Sequence, residues 1–191
     1  MSSPESDPHG RESSFYPSIV DYIERRIKAE LGDGFDFRMA VCGVVDMRDG
    51  LRRINRQLHH QNESLDNYAE RTRGLFVDLA GILQSRTGNR FATLICEVKV
   101  GRLNLTHLAQ LLGYCIASNT RHGLLISVNH SVTSGLEAVL RNNHSIVDVR
   151  RLDKSRHTIG IATWTGGALR FDDIGFYTSV ESLGRSMSLT L

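Results

Sequence analysis

A glutamate and a lysine close the apolar segment formed by residues 91–99. Successive side chains of a strand point to opposite faces, so Glu97 and Lys99 share one face of the predicted strand and Val98 lies on the other. A buried charge is costly unless it is paired or holds a metal ion. The sequence therefore predicts a compensating group on the face that carries Glu97 and Lys99.

Asp78 is the candidate for that group, because it is the one acid in the apolar segment 75–83. Residues 87–89, Thr-Gly-Asn, have the composition of a hairpin turn, and a hairpin centred on the first two of them places Asp78 directly opposite Glu97. Opposed side chains lie on one face with Cβ atoms roughly 5 Å apart. Two carboxylates at that distance repel unless a proton or a divalent cation separates them, and magnesium prefers such oxygen ligands. A register slip of one residue would send Asp78 to the other face.

An acid in one strand followed by Glu-x-Lys at the end of the next resembles the PD-(D/E)XK nuclease superfamily, which has the restriction-endonuclease-like fold. In the following predicted helix, Gln110 and Tyr114 are similar to the Gln-x-x-x-Tyr motif of the RecB-like and exonuclease branches. Val77 stands where the family often has proline before the acid, a change that the family tolerates.

This resemblance implies a metal site and a catalytic lysine. Asp78 and Glu97 would bind Mg²⁺ or Mn²⁺, with the backbone carbonyl of Val98 as a further ligand. The cation would polarise a scissile phosphate and lower the pKa of a bound water. Lys99 would orient that water or stabilise the charge developing on the phosphate. A structural ion pair between Glu97 and Lys99 is the simpler alternative.

The resemblance implies two further contributions to the site. The first helix of the fold often supplies a third acid, for which Glu24 is the first candidate and Glu30 the second. Asp46, after the first predicted strand, is an alternative. Gln110 and Tyr114, four residues apart, lie on one helical face and would line the active-site groove. A solvated polar face is the alternative for this pair.

The elements that must hold these residues follow from the periodicity of the apolar positions. Helices are predicted over 15–31, over 104–118 and over 131–142 with Ser131 or Thr133 as the cap; one or two more fall within 46–73; strands are predicted over 35–45, 123–128 and, as short segments, 146–177. The core stripe predicted for the second of these helices consists of Leu105, Leu108, Leu112 and Ile116.

The resulting order, helix–strand–strand–strand–helix–strand, is the core order of the same fold. We therefore expect an α/β protein with a restriction-endonuclease-like core, in which helices flank a central mixed β-sheet, and a C-terminal β extension. The segment 91–128 should form a parallel strand–helix–strand crossover. Residues 15–191 suit one domain, and residues 1–14 are polar enough to predict a disordered tail.

Composition limits the partners and the cellular location that we expect. A net charge of +2 gives no global field for nucleic acid, so such binding would rest on local patches. Cys42, Cys96 and Cys115 lack metal-ligand spacing, which is typical of reduced thiols in a cytoplasmic protein. No segment approaches the roughly 20 apolar residues of a membrane span, so no membrane partner is expected.

The sequence thus predicts a metal-dependent nuclease acting on nucleic acid, with DNA preferred and a homodimer allowed because relatives that cut both strands often dimerise. Alternatives are a catalytically silent nucleic-acid-binding or assembly module of the same fold, and a purely structural domain. Basic clusters that could contact phosphates are Arg25, Arg26 and Lys28; Arg52, Arg53, Arg56, His59 and His60; and Arg150, Arg151, Lys154 and Arg156.

Overall fold

A computed structural model describes residues 12–150 and 155–191 of the chain. The helices are α1 (Tyr16–Leu31), α2 (Met47–Gln57), α3 (Glu63–Arg71), α4 (Leu105–Ser118), α5 (Ser134–Asn142) and α6 (Val180–Ser188). The strands are β1 (Phe35–Val41), β2 (Leu79–Ser85), β3 (Phe91–Val100), β4 (His122–Val128), β5 (Asp148–Arg150), β6 (Arg156–Thr165) and β7 (Ala168–Phe171). Short 3₁₀ turns occupy Gly32–Gly34 and His144–Ile146.

Within the described residues, seven strands form one open mixed sheet in the order β1-β2-β3-β4-β6-β5, and β7 pairs with β6. The first three strands are antiparallel, whereas β3, β4 and β6 run parallel to one another. The predicted α/β class with a mixed sheet flanked by helices is therefore confirmed. The parallel pairing of β3 with β4 through α4 is also as expected.

The hairpin between β2 and β3 has the predicted register. Leu79 pairs with Cys96 and Gln84 pairs with Phe91. Continued by one residue, the same register places Asp78 at the level of Glu97, so the two acids approach one another where β3 ends.

Two apolar layers cover the sheet, because alternate strand residues face opposite sides. Ile95 of β3 belongs to the layer that α2, α3, α4 and α5 cover. Its neighbours Leu94 and Cys96 belong to the layer under α1 and α6. Glu97 and Lys99 follow the parity of Ile95, so they lie at the end of the first layer.

The core stripe predicted for α4 is wrong by about one position. Leu108, Leu111, Cys115 and Ser118 are the buried residues of this helix, and Leu105 and Ile116 are exposed. Helix α4 packs closely over Gly123 of β4, where an added Cβ would lie 3.1 Å from Cys115 Sγ. The helix is turned so that its small Cys115 meets this glycine, and adjacent leucines made either phase compatible with the sequence.

Several element boundaries have local causes. Thr133, one of the two predicted caps, accepts the Leu136 N–H at the start of α5. Strand β1 ends at Val41 rather than at residue 45, because the chain turns there and the Val45 N–H donates to the carbonyl of Cys42, at 2.6 Å. Helix α6, which we did not predict, begins with a capping box between Ser179 and Ser182.

Of the predicted tail, residues 1–11 lie outside the described residues, whereas Glu12 is buried against the end of β3. The three cysteines are free thiols in the interior. None of the described helices combines the length and the apolar character needed to cross a bilayer.

Candidate functional site

Asp78 stands directly before β2 and joins three elements. Its Oδ2 accepts the Val98 N–H at 2.7 Å, and its Oδ1 accepts the Tyr16 hydroxyl at 2.7 Å. Its backbone carbonyl accepts the N–H groups of Cys42 and Gly43. The carboxylate is therefore held by β3 on one side and by the start of α1 on the other.

Glu97 and Lys99 lie beside Asp78, as the sequence predicts. Lys99 Nζ is 2.7 Å from Glu97 Oε1 and 4.0 Å from Asp78 Oδ2. Glu97 is 2% exposed, and its second oxygen, Oε2, is buried without a hydrogen-bond partner. An unpartnered buried carboxylate oxygen is costly, so it calls for an explanation, such as a bound ion or an ordered water.

Burial and charge shift the pKa values in this cluster. Burial, and then the charge of Asp78, raise the pKa of Glu97 to about 7 against the opposing effect of Lys99. For Lys99, burial acts to lower the pKa, but the hydrogen bond and charge of Glu97, with the charge of Asp78, outweigh it and raise the pKa. Lys99 is therefore held as an ammonium, which suits charge stabilisation and not proton abstraction.

Glu12 is a further member that the sequence analysis placed in the tail. Its Oε1 accepts the Val100 N–H at 3.1 Å, and its Oε2 lies 3.9 Å from Lys99 Nζ. It is 6% exposed. The polar residues before it hide its burial in the sequence, and its spacing of four from Tyr16 is the one signal that could have found it. We call Asp78, Glu97, Lys99 and Glu12 the carboxylate–lysine cluster.

The acids proposed as a third ligand do not join the carboxylate–lysine cluster. Glu24 Oε1 accepts the Met39 N–H at 2.6 Å, Glu30 pairs with Arg185, and Asp46 caps α2 by accepting the Arg48 N–H. Glu24 lies two turns beyond Tyr16, about 12 Å along the helix axis. At this distance along the helix, Glu24 lies beside Met39 of β1 and does not reach Asp78.

Gln110 and Tyr114 also remain apart from the cluster in the contacts of the described residues. Gln110 Nε2 donates to the Tyr114 hydroxyl at 3.2 Å, and Tyr114 packs half-buried against the α2–α5 side of the core. Gln110 itself is exposed. The pair shares one helical face, as predicted, but that face does not bring either side chain to the acids.

His107, in the first turn of α4, has a pKa that depends on the charges of the carboxylate–lysine cluster. Burial lowers the pKa of His107, the charge of Lys99 lowers it further, and Glu12 opposes both. Its Nδ1 is turned to the Asn104 N–H in the capping box of α4. The His107 side chain therefore helps to cap the start of α4.

Asp78 and Glu97 could together hold a divalent cation. The described residues contain no group of three or more His, Cys, Asp or Glu side chains arranged for a metal ion. Magnesium, however, is commonly held by one or two carboxylates while it keeps several waters. The unpartnered Glu97 Oε2, beside Asp78, fits that mode. Val98, whose carbonyl is the predicted third ligand, lies between Glu97 and Lys99 with its side chain in the α1–α6 layer.

Many of the predicted phosphate-binding cations have protein partners. Arg25 pairs with Asp21, Arg26 with Glu181, Arg52 with Glu70, and Arg156 with Asp148. Arg151 and Lys154 lie outside the described residues. Arg52, Arg53 and Arg56 line a groove of about 630 Å³ with Asp49 and Asp66, so its charge is mixed.

Comparison of the chain with protein-family models, curated proteins and solved structures finds no match.

Proposed function

We propose that this protein is a metal-dependent nuclease with a restriction-endonuclease-like core, which hydrolyses phosphodiester bonds in nucleic acid, DNA in the first instance. The observation that supports the proposal most directly is the buried, unpartnered Oε2 of Glu97 beside Asp78 and Lys99. A structural ion pair needs partners for its oxygens, whereas a cation site needs an oxygen that is free to bind.

The order of elements supports the same proposal. Helix α1 precedes β1, β2 and β3, and α4 then crosses to the parallel strand β4. This is the order that the resemblance implies, with α2 and α3 inserted between β1 and β2. The Glu-x-Lys sequence falls at the carboxyl end of β3.

The charges of the carboxylate–lysine cluster favour a cation. Three carboxylates surround one ammonium, so the cluster has an excess of negative charge when all four groups are ionised. In a site this buried, like charges repel strongly because the surroundings screen them poorly. A divalent cation between Asp78 and Glu97 would remove that repulsion.

In the mechanism, Asp78 and Glu97 would hold Mg²⁺ or Mn²⁺. When bound, such an ion polarises a phosphate oxygen and supplies a water of lowered pKa as the nucleophile. Lys99, held as an ammonium by Glu97, would stabilise the negative charge that develops on the phosphate. Glu12 accepts the Val100 N–H and lies 3.9 Å from Lys99 Nζ, so its charge also attracts that ammonium.

The test combines metal binding with cleavage. We expect calorimetry to show Mn²⁺ binding by the wild-type protein and its loss in Glu97→Ala. Plasmid, linear and single-stranded DNA should be cut in Mn²⁺, and Glu97→Ala and Lys99→Ala should each lower the rate by about 100-fold or more. Glu70→Ala, which removes an exposed acid of α3, is the matched control and should leave both readouts unchanged. Wild-type protein that binds no Mn²⁺ would falsify the proposal.

A catalytically silent module is the second candidate, because the described residues contain no group of three or more side chains arranged to hold a metal ion. Salt-dependent DNA binding without cleavage, and without any Mn²⁺ effect, would support this alternative.

A further inference from the structure

Both oxygens of the Asp78 carboxylate accept hydrogen bonds from the protein, and these bonds determine how the carboxylate is oriented in the proposed metal site. Its Oδ2 takes the Val98 N–H and its Oδ1 takes the Tyr16 hydroxyl, each at 2.7 Å. A carboxylate has about four lone-pair positions, so each oxygen retains acceptor capacity after these bonds. Two fixed donors therefore set the orientation of the group without using up its ability to bind a cation.

We propose that Tyr16 is a positioning residue for Asp78, an inference that rests on the proposed function. Ligating carboxylates are normally oriented by a second hydrogen bond from the protein, and losing that partner typically weakens metal binding about 10- to 100-fold. The Val98 N–H alone leaves the Asp78 side chain free to turn about that bond. The Tyr16 hydroxyl removes this freedom.

Tyr16 is itself held rigidly, as a positioning residue must be. It is 4% exposed and belongs to the apolar layer that α1 shares with the sheet. Its ring lies against Gly43, where an added Cβ would be 3.0 Å from Tyr16 Cε2. Ile19 and Ile23, fully buried on the same helix, fix the start of α1 against the sheet.

The chain offers a matched control on the same helix. Tyr22 packs its ring edge-to-face on Trp164, with centroids 5.6 Å apart, and lies more than one helical turn beyond Tyr16. Tyr16→Phe and Tyr22→Phe each remove one hydroxyl and keep the ring. They differ in whether that hydroxyl reaches Asp78.

The experiment titrates the full-length wild type and both variants with Mn²⁺ by calorimetry, and records the near-ultraviolet tyrosine difference spectrum of each titration. We expect Tyr16→Phe to bind Mn²⁺ about 10- to 100-fold more weakly and Tyr22→Phe to bind like the wild type. A difference signal should appear in the wild type and in Tyr22→Phe, and should be missing in Tyr16→Phe. The reason is that the Tyr16 hydroxyl donates to Asp78 Oδ1, which is an oxygen of the proposed metal site.

The outcomes separate this inference from the proposed function. Wild-type protein without Mn²⁺ binding sinks both. Wild-type binding with unchanged affinity in Tyr16→Phe overturns the positioning role alone. Should Tyr16→Phe fail to fold, the difference spectra of the wild type and of Tyr22→Phe decide the question. A Mn²⁺-dependent tyrosine signal of equal size in both supports the role, and Mn²⁺ binding without such a signal overturns it.

Discussion

The two ends of the central sheet differ in the kind of polar side chains that they bury. Where β3 ends, the carboxylate–lysine cluster brings charged groups together and leaves Glu97 Oε2 without a partner. Where β4 and β6 begin, the buried polar side chains are neutral, and several of them bond to one another. His122 Nδ1 lies 2.6 Å from the Tyr177 hydroxyl, which also bonds Thr158.

The difference in charge favours the end of β3 as the candidate site. At the neutral end, His122 Nε2 is satisfied by Thr190, at 3.2 Å, and the Tyr68 hydroxyl by Thr120, at 2.6 Å. Such a network rigidifies the fold. It is not complete, because His157 Nε2 at the start of β6 is buried without a hydrogen-bond partner. At the charged end, a perturbed carboxylate and an unused acceptor are the features that cluster at functional sites.

The largest effect that tests this comparison is the pH dependence contributed by His122. Burial, and then the charge of Arg121, lower the pKa of His122 from 6.5 to about 4. Because the folded pKa lies below the unfolded one, the stability from neutral His122 is complete above pH 6.5 and falls as the pH drops from about 6.5 to about 4. The total loss is about 3 kcal/mol.

Urea unfolding of the wild type and of His122→Asn at neutral and acidic pH measures this loss. The free-energy difference between the two proteins should shrink as the pH falls, since the variant has no imidazole to protonate. An equal difference at both pH values would show that His122 is not held neutral.

Tyr177→Phe should destabilise the fold by about 2 kcal/mol, because it leaves the buried His122 and Thr158 without their shared partner. Tyr16→Phe should cost less, since Asp78 keeps its bond to the Val98 N–H and its side chain is 15% exposed. Thermal and urea unfolding measure both. Equal losses at the two tyrosines would remove the distinction between the two ends.

Glu97→Gln should stabilise the metal-free protein by about 1 kcal/mol at pH 8, because it removes a buried charge that Asp78 repels. Glu70→Gln, in an exposed pair with Arg52, should change the free energy of unfolding by much less. Urea unfolding in a chelator checks both. A clear loss of stability in Glu97→Gln would instead assign Glu97 to a structural ion pair with Lys99.

Local signals in the sequence were enough to predict the geometry of the hairpin. A turn of Thr-Gly-Asn between two apolar segments specifies one register, and that register carries Asp78 to the level of Glu97. Alternation within β3 likewise separates Glu97 and Lys99 from Val98. These relations depend on neighbours in the chain, so one sequence suffices to predict them.

The partners that come from distant segments could not be predicted in the same way. Glu12 reaches Lys99 only because the segment before α1 crosses the end of β3, and the spacing of four between Glu12 and Tyr16, the one local signal, does not specify that crossing. Glu24 is an acid on the first helix, as expected, but its position along the helix axis brings it to the Met39 N–H and not to Asp78. The phase of α4 depended on Gly123, a residue of another element.

The outer edge of β1 shows what the misassigned Glu24 does. β1 borders the sheet, and Glu24 accepts its Met39 N–H while Arg53 donates to its Val41 carbonyl. Side chains from α1 and α2 thus occupy backbone groups that a strand from a second molecule would need. Joining two copies through a continuous sheet at this border would require both contacts to break first.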